Sequence, residues 1–195
     1  MDNYEYIIAS LPVIRQEERN SSDLDVEGLQ AMIAEQLSER DRKVYGMLLD
    51  GFDGDNLNEE FYRKALSSPN AFMRDYFTYD MHVRNTKVEY LNKALGRPEG
   101  TDILILDEDG TNEFDGKEEV QEVLSQDDIL SRERGLDDLM WRHCEDLTRM
   151  HVFDLDVILS FTARLRIIDR WLKLDPGTGR ELFRKLVNEI RNSNK

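Results

Sequence analysis

Apolar residues recur three and four positions apart over most of this chain, and this spacing constrains the fold more than any other feature. The clearest stretch contains Ile158, Phe161, Leu165, Ile168 and Leu172. An α helix has about 3.6 residues per turn, so residues at this spacing share one face. Prolines, which interrupt helices, occur at only four positions. The pattern therefore predicts an all-α protein.

The expected architecture is a multi-helix bundle of about seven or eight helices in a single domain, residues 1–195. Helices are predicted over residues 23–36, 39–49, 59–67, 70–95, 117–124, 128–150 and around 158–172, with a last one from residue 178. The irregular segment 99–116 joins two weakly repeated halves, 1–98 and 117–195. In these halves Tyr79–Val83 resembles Phe153–Val157. Within the irregular segment, Ile103–Leu106 is either a short strand or an anchored loop.

Apolar stripes define the expected buried faces of the two longest helices. The first stripe is Phe72, Tyr76, Tyr79, Val83, Tyr90 and Ala94, and the second is Leu136, Leu139, Met140, His143, Leu147 and Met150. Side chains that accept backbone hydrogen bonds at helix starts are expected at Ser38, Asn58 and Thr178. Asp127 and Asp128 are expected to place negative charge at a helix N-terminus, where it complements the helix dipole. Gly96 is expected to end the first long helix.

The charge balance restricts the partners. The chain carries 41 acidic and 26 basic residues, a formal net charge of −15. Such a field repels nucleic-acid phosphates and anionic lipid headgroups, so we expect neither nucleic-acid binding nor direct membrane insertion. The N-terminus lacks the features of a signal peptide, and no apolar stretch approaches the roughly 18 residues of a spanning helix. We therefore expect a soluble, cytoplasmic protein that could lie at the periphery of a membrane complex through protein contacts.

Motifs that carry chemistry are incomplete. Asp107, Asp109, Thr111 and Glu118 have calcium-loop spacing, but Asn112 stands where the loop needs glycine. The glycines near Lys117 do not fit a phosphate-binding loop, and the three histidines form no metal motif. The pairs Asp127-Asp128 and Asp137-Asp138 do not continue into D-D-x-x-D. We expect a non-enzymatic protein with no catalytic, cofactor-binding or metal-binding residue, and no cofactor.

Charged positions on the long helices are the candidates for partner contact: Asp80, Arg84, Lys87, Arg164, Arg166 and Arg170. Asp80 and Arg84 are four residues apart and are expected to form an exposed ion pair. The three arginines, with Lys173, would form a basic edge on the last of these helices. That edge is either a solvated face or a surface for an internal acidic partner or another subunit. Asn85 is expected to bond between helices, and His143 to be a core or interface residue.

Two stretches resemble the C subunit of V/A-type ATPases, which corresponds to the d subunit of the eukaryotic enzymes. Residues 127–137 read D-D-x-L-x-x-E-R-x-L-D, and residues 80–87 resemble the D-x-x-N-x-K helix of that family with one extra residue between Asp and Asn. The start, Tyr4–Pro12, and the end, Asp169–Leu174, resemble a short bacterial family encoded beside V-type ATPase subunits.

The resemblance implies a mechanical role. The C subunit is the all-helical socket between the rotor shaft and the membrane ring, so this chain would be a non-catalytic subunit that links the central stalk to the rotor ring. The full C subunit has three helical repeats around a funnel, whereas 195 residues hold about two. The alternatives are a helical adaptor or regulator without an ATPase role, and a metal-dependent enzyme that uses the acidic pairs.

Overall fold

Helices account for nearly all regular structure in the computed structural model, which describes residues 4–16, 24–106 and 112–173. Within these ranges the eight α helices are α1 (Glu5–Ser10), α2 (Val26–Gln36), α3 (Glu39–Asp50), α4 (Glu59–Leu66), α5 (Ala71–Ala94), α6 (Lys117–Leu124), α7 (Ile129–Leu147) and α8 (Leu155–Lys173). A short 3-10 turn spans Gly54–Asn56, and the described ranges contain no strand. The all-α prediction is confirmed. The helix predicted from residue 178 lies outside the described residues.

Two central helices organise the packing. α8 packs against α2, α3, α5 and α7, and α5 packs against α4, α6, α7 and α8. The predicted seam on α8 is buried from Ile158 to Ile168, and Leu172 is partly buried. Leu159, Ala163 and Ile167 are buried as well, so α8 is enclosed on more than one face. Burial this broad is what a helix at the centre of a bundle requires.

The local rules for helix ends mostly hold. The side chains of Ser38, Asn58 and Asp128 accept hydrogen bonds from backbone N–H groups in the first turns of α3, α4 and α7. Gly96 has φ +65°, a left-handed conformation that glycine adopts without strain, and it follows the end of α5 as predicted. The start of α2 was predicted too early, because Asp25 caps this helix.

In both predicted apolar stripes, the last residue is exposed and not buried. Met150 is 88% exposed because α7 ends at Leu147 and the chain then turns toward α8. Ala94 is exposed in the last turn of α5. The two segments of the weak repeat occupy the middle of α5, for Tyr79–Val83, and the start of α8, for Phe153–Val157. In the described ranges, no helix combines the length and apolar character needed to cross a bilayer.

Candidate functional site

A chain of charged side chains joins α5, α7 and α8. Lys87 Nζ lies 2.5 Å from Glu133 Oε1, and Glu133 Oε2 lies 3.6 Å from Arg170 Nη1. Arg170 also donates to the carboxylate of Asp137, and Trp171 Nε1 donates to Asp137 Oδ2 at 2.6 Å. We call these five residues the charge network. They fix the C-terminal half of α8 against the first half of α7.

Asp137 is the buried member of the charge network. Its side chain is enclosed, whereas Lys87, Glu133 and Arg170 remain partly exposed. Exposed ion pairs contribute little to stability, but a buried carboxylate needs donors to offset its lost hydration. Arg170 and the indole N–H of Trp171 supply such donors. Arg134 also lies over the Trp171 ring, 4.9 Å from its centroid.

Asn85 holds the irregular segment against α5. Its Nδ2 donates to the carbonyl of Leu104 at 2.6 Å, and its Oδ1 accepts from the N–H of Leu104 at 2.9 Å. Asn112 Oδ1 accepts from Asn85 Nδ2 at 3.2 Å and from His82 Nδ1 at 2.9 Å. We call His82, Asn85, Leu104 and Asn112 the Asn85 anchor. The expectation that Asn85 bonds between helices is wrong, because its partners lie in the 99–116 segment.

The Asn85 anchor settles the structure of Ile103–Leu106. The side chain of Asn85 forms hydrogen bonds with both the N–H and the carbonyl of Leu104, so residues 103–106 are an anchored loop and not a strand. Phe114 stacks on His82 with centroids 4.7 Å apart, and Asn92 Nδ2 donates to the carbonyl of Thr101 at 2.6 Å. Contacts along three turns of α5 therefore position the described parts of this segment.

Asp80 and Arg84 form the predicted ion pair, with Arg84 Nε 2.8 Å from Asp80 Oδ2. The pair is not fully exposed: the side chain of Asp80 is only 14% exposed, against 53% for Arg84. Tyr62 of α4 donates to Asp80 Oδ2 at 2.5 Å. Burial, then the nearby Asp80 charge, raises the pKa of Tyr62 well above its ordinary value, so the hydroxyl remains a donor.

The predicted basic edge on α8 divides into two sides. Arg164 lies over the Trp141 ring and pairs with Glu145 of α7 at 3.2 Å. Arg166 lies over the Phe52 ring on the other side of the helix. Positions two apart on a helix are separated by about 200°. The expectation of one edge is therefore wrong for Arg164, although Arg166, Arg170 and Lys173 do share a side.

Acidic residues of the same chain meet each of these cations. Arg166 and Lys173 pair with Asp169 at 2.7 and 2.9 Å, and Arg170 belongs to the charge network. The α8 cations therefore have internal acidic partners, which is one of the two roles expected for them. Their remaining exposed surface is what a separate protein could contact.

His143 is an interface residue, as predicted. Its ring stacks on Tyr79 of α5 with centroids 4.1 Å apart, and Nε2 lies 3.3 Å from the Asp75 carbonyl. Burial lowers the pKa of His143. The neighbouring Cys144 is fully buried, and burial raises the pKa of its thiol to about 12. A buried thiol of this kind is a poor nucleophile at neutral pH.

A cleft of about 920 Å³ lies between the end of α5, the following turn and α6. Its charged lining residues are Glu89, Lys93, Arg97, Glu99 and Lys117. Lys117 already pairs with Glu113 at 2.8 Å and lies 3.6 Å from Glu89. Charges of both signs line the walls, so the cleft does not select an anion or a cation. Over residues 4–16, 24–106 and 112–173, no cluster of three or more His, Cys, Asp or Glu could hold a metal ion.

The sequence indicated several of the charged candidate residues, but not the residues of the same chain that pair with them. The sequence did not predict that Tyr62 donates to Asp80. It also did not predict that Glu133 pairs with Lys87 or that Asp137 pairs with Arg170. The only available indication was that Glu133 and Asp137 are four residues apart and so share one face of α7. Nothing in the sequence pairs that face with Lys87.

These contacts define an all-α protein built around two central helices that are cross-linked by polar contacts. Residues 53–194 match the family model described as "Protein of unknown function (DUF2764)". Because the match covers well over half of the chain, the protein belongs to the DUF2764 family. No curated protein and no solved structure gives a significant match to the chain.

Proposed function

We propose that this protein is a non-catalytic component of a V/A-type ATPase that stands where the C subunit stands and links the central stalk to the membrane rotor ring. It would act through surface complementarity, and neither catalysis nor a cofactor enters the proposal. It would lie on the cytoplasmic side, peripheral to the membrane complex. The proposal rests on the resemblance to the C subunit and on the tertiary position of the residues that carry it.

One observation carries the proposal: the two stretches that resemble the C subunit meet in the charge network, together with the end stretch that resembles the short bacterial family. Lys87 comes from residues 80–87, Glu133 and Asp137 come from residues 127–137, and Arg170 comes from residues 169–174. Two motifs that resembled the C subunit only by chance would have no particular reason to contact one another, yet Lys87 of the first pairs with Glu133 of the second. Their convergence supports a shared structural unit.

The candidate contact residues differ in how much surface they offer a partner. Arg84, Lys87 and Arg170 keep roughly half of their side chains exposed, whereas Arg164 and Arg166 are more enclosed. We therefore propose that Arg84, Lys87 and Arg170 contribute most to contact with the other ATPase subunits. Asp80 would act mainly by orienting Arg84.

The decisive experiment is purification of the tagged full chain from its native cells after gentle solubilisation of the membranes. We expect central-stalk and rotor-ring subunits to co-purify. Recovery of the chain with other proteins and no ATPase subunits would favour the helical adaptor. Stoichiometric bound metal would favour the enzyme alternative. Either outcome, or recovery of the chain alone, would overturn the ATPase proposal.

A matched pair of variants tests the surface. Arg170→Gln should reduce recovery of ATPase subunits, and Arg63→Gln should not, because Arg63 lies on α4 in an exposed pair with Glu59. Association with the stalk should also slow between about 0.01 and 0.15 M salt, where the Debye length falls from about 30 to about 8 Å. Equal behaviour of the two variants would exclude Arg170 from the interface.

A further inference from the structure

A second cleft, of about 280 Å³, opens between the residues that precede α4, the middle of α5 and the anchored loop. Leu104 lines it, and Asn85 holds both backbone groups of this residue. Tyr62 of α4 also lines it, and this buried side chain donates to Asp80. Hydrogen bonds therefore fix these parts of the lining without a ligand. We call this the Arg84 cleft, because Arg84 is the one cation among the described residues that line it.

Arg84 is held along one edge of its guanidinium group. Its Nε donates to Asp80 Oδ2 at 2.8 Å, and Tyr62 donates to the same oxygen, so this carboxylate does not depend on Arg84 alone. A guanidinium carries five N–H donors. Arg84 forms no other hydrogen bond or ion pair within the part of the chain that the structure describes, and about half of its side chain is exposed. Asp80 thus orients the group and leaves its Nη donors for a second acceptor.

Apolar side chains supply much of the remaining lining. They are Leu57, Met81, Val88 and Leu104, together with the ring of Tyr62. Met81 is buried, and Leu57 and Leu104 are partly buried against the core. An oriented arginine beside apolar walls suits a carboxylate on an apolar body. The planar guanidinium matches the two carboxylate oxygens, and the walls shield the apolar carbons from water.

The two acidic residues of the lining do not cancel this preference. Glu59 pairs with Arg63 at 2.6 Å, and Asp102 pairs with Arg97 at 2.7 Å. Both acidic side chains are more than half exposed, so water and salt screen their charges. Each already has a cation of its own, whereas the Nη groups of Arg84 have no acceptor among the described residues.

We propose that the Arg84 cleft binds a small monocarboxylate with a short apolar tail. The carboxylate would accept hydrogen bonds from the Nη groups of Arg84, and the tail would lie against Val88 and Leu104. A single cation favours one carboxylate over two. The cleft is slightly smaller than the roughly 300–1,000 Å³ of pockets for drug-sized ligands, so the tail must be short. Binding does not depend on an ATPase role, although a bound acid would compete with the subunit contact proposed for Arg84.

Titration of the full chain with pentanoate tests the site, followed by amide resonances in two-dimensional NMR. We expect saturable shifts at Arg84, Val88 and Leu104. Pentanol has the same tail without the charge, and acetate has the charge without the tail. Each should bind about tenfold more weakly or worse, because a hydrogen bond to a charged group and the burial of several methylene groups each contribute at least that factor.

A matched pair of arginine variants tests which residue binds the carboxylate. Arg84→Gln should weaken pentanoate binding by about tenfold or more and leave pentanol binding unchanged. Arg149→Gln removes an exposed arginine that pairs with Asp146 and does not line the cleft, so it should bind pentanoate like the parent chain. Val88→Phe keeps Arg84 but fills the cleft, and should weaken binding of both pentanoate and pentanol. This variant tests the site even if Arg84→Gln fails to fold.

Several results would overturn the proposal. Absence of saturable shifts with pentanoate would mean that the cleft takes no such ligand. Equal affinity for pentanoate and pentanol, or equal weakening by Arg84→Gln and Arg149→Gln, would remove Arg84 from the site. Shifts confined to other helices, or unchanged binding by Val88→Phe, would place the ligand outside the cleft.

Discussion

Gly135 permits close approach of α6 and α7, and replacing it tests the packing directly. A Cβ atom added at Gly135 would lie 2.6 Å from Val123 Cγ1 and 3.1 Å from Val123 Cγ2. Carbon atoms normally pack at about 3.5–4.0 Å, so the overlap is close to 1 Å. Gly46 in the middle of α3 is the matched control, because a Cβ there meets no atom within 4 Å.

Two opposing effects set the expected magnitude. Alanine is favoured over glycine in a helix by about 1 kcal/mol, so Gly46→Ala should stabilise the protein by about that amount. Gly135→Ala gains the same propensity but overpacks the α6–α7 contact, which costs about 1–3 kcal/mol. The net result should be a loss of about 0–2 kcal/mol. The two variants should therefore differ by about 1–3 kcal/mol in the free energy of unfolding.

Urea denaturation followed by circular dichroism measures these free energies. Val123→Ala provides the decisive background, because it removes the two methyl groups nearest to the added Cβ. In that background Gly135→Ala should become neutral or stabilising. Equal stabilisation by Gly46→Ala and Gly135→Ala in the parent chain, or no coupling between positions 123 and 135, would refute this account of the contact.

Three further predictions concern the core, a titrating group and the Asn85 anchor. Phe161→Ala and Ile168→Ala should each lower the free energy of unfolding by about 2–5 kcal/mol, since both side chains are buried, and an unchanged melting temperature would contradict this. His143 has a lowered pKa, so its contribution to stability is present above about pH 6.5 and is lost as pH falls through the folded pKa. His143→Phe should remove this component, and an unchanged slope of stability against pH between about pH 7 and 5 would argue against it. Asn85→Leu should speed amide exchange at Leu104, whose N–H donates to Asn85, as measured by hydrogen exchange; unchanged protection there would mean that other contacts hold the loop.

The sequence predicted the elements that depend on near neighbours along the chain. The helices, the caps at Ser38 and Asn58, the acidic start of α7 and the stop at Gly96 follow from spacing and end chemistry within a few residues. These features are local because a helix bonds each residue to one four positions away. The prediction of burial was wrong for Met150, which follows the end of α7, and for Ala94, the last residue of α5. Apolar periodicity in the sequence continues to these positions, although the buried part of each helix has already ended.

Contacts between distant positions were decided only by the tertiary structure. The sequence marked Asn85 as a buried hydrogen-bonding residue, but not that Leu104 would be its partner. It grouped Arg164 with Arg166, whereas the packing of α8 between α7 and the Phe52 region separates them.

The physical reason is the range of the interactions involved. Periodicity and composition report which face of a helix is apolar and where the helix ends, and both depend on residues nearby in the chain. The partner of a polar group depends on how the helices are arranged, and that arrangement is set by burial summed over the whole core. The sequence therefore determined an acidic, all-α chain with long amphipathic helices, and the tertiary structure determined that Lys87, Glu133, Asp137 and Arg170 meet.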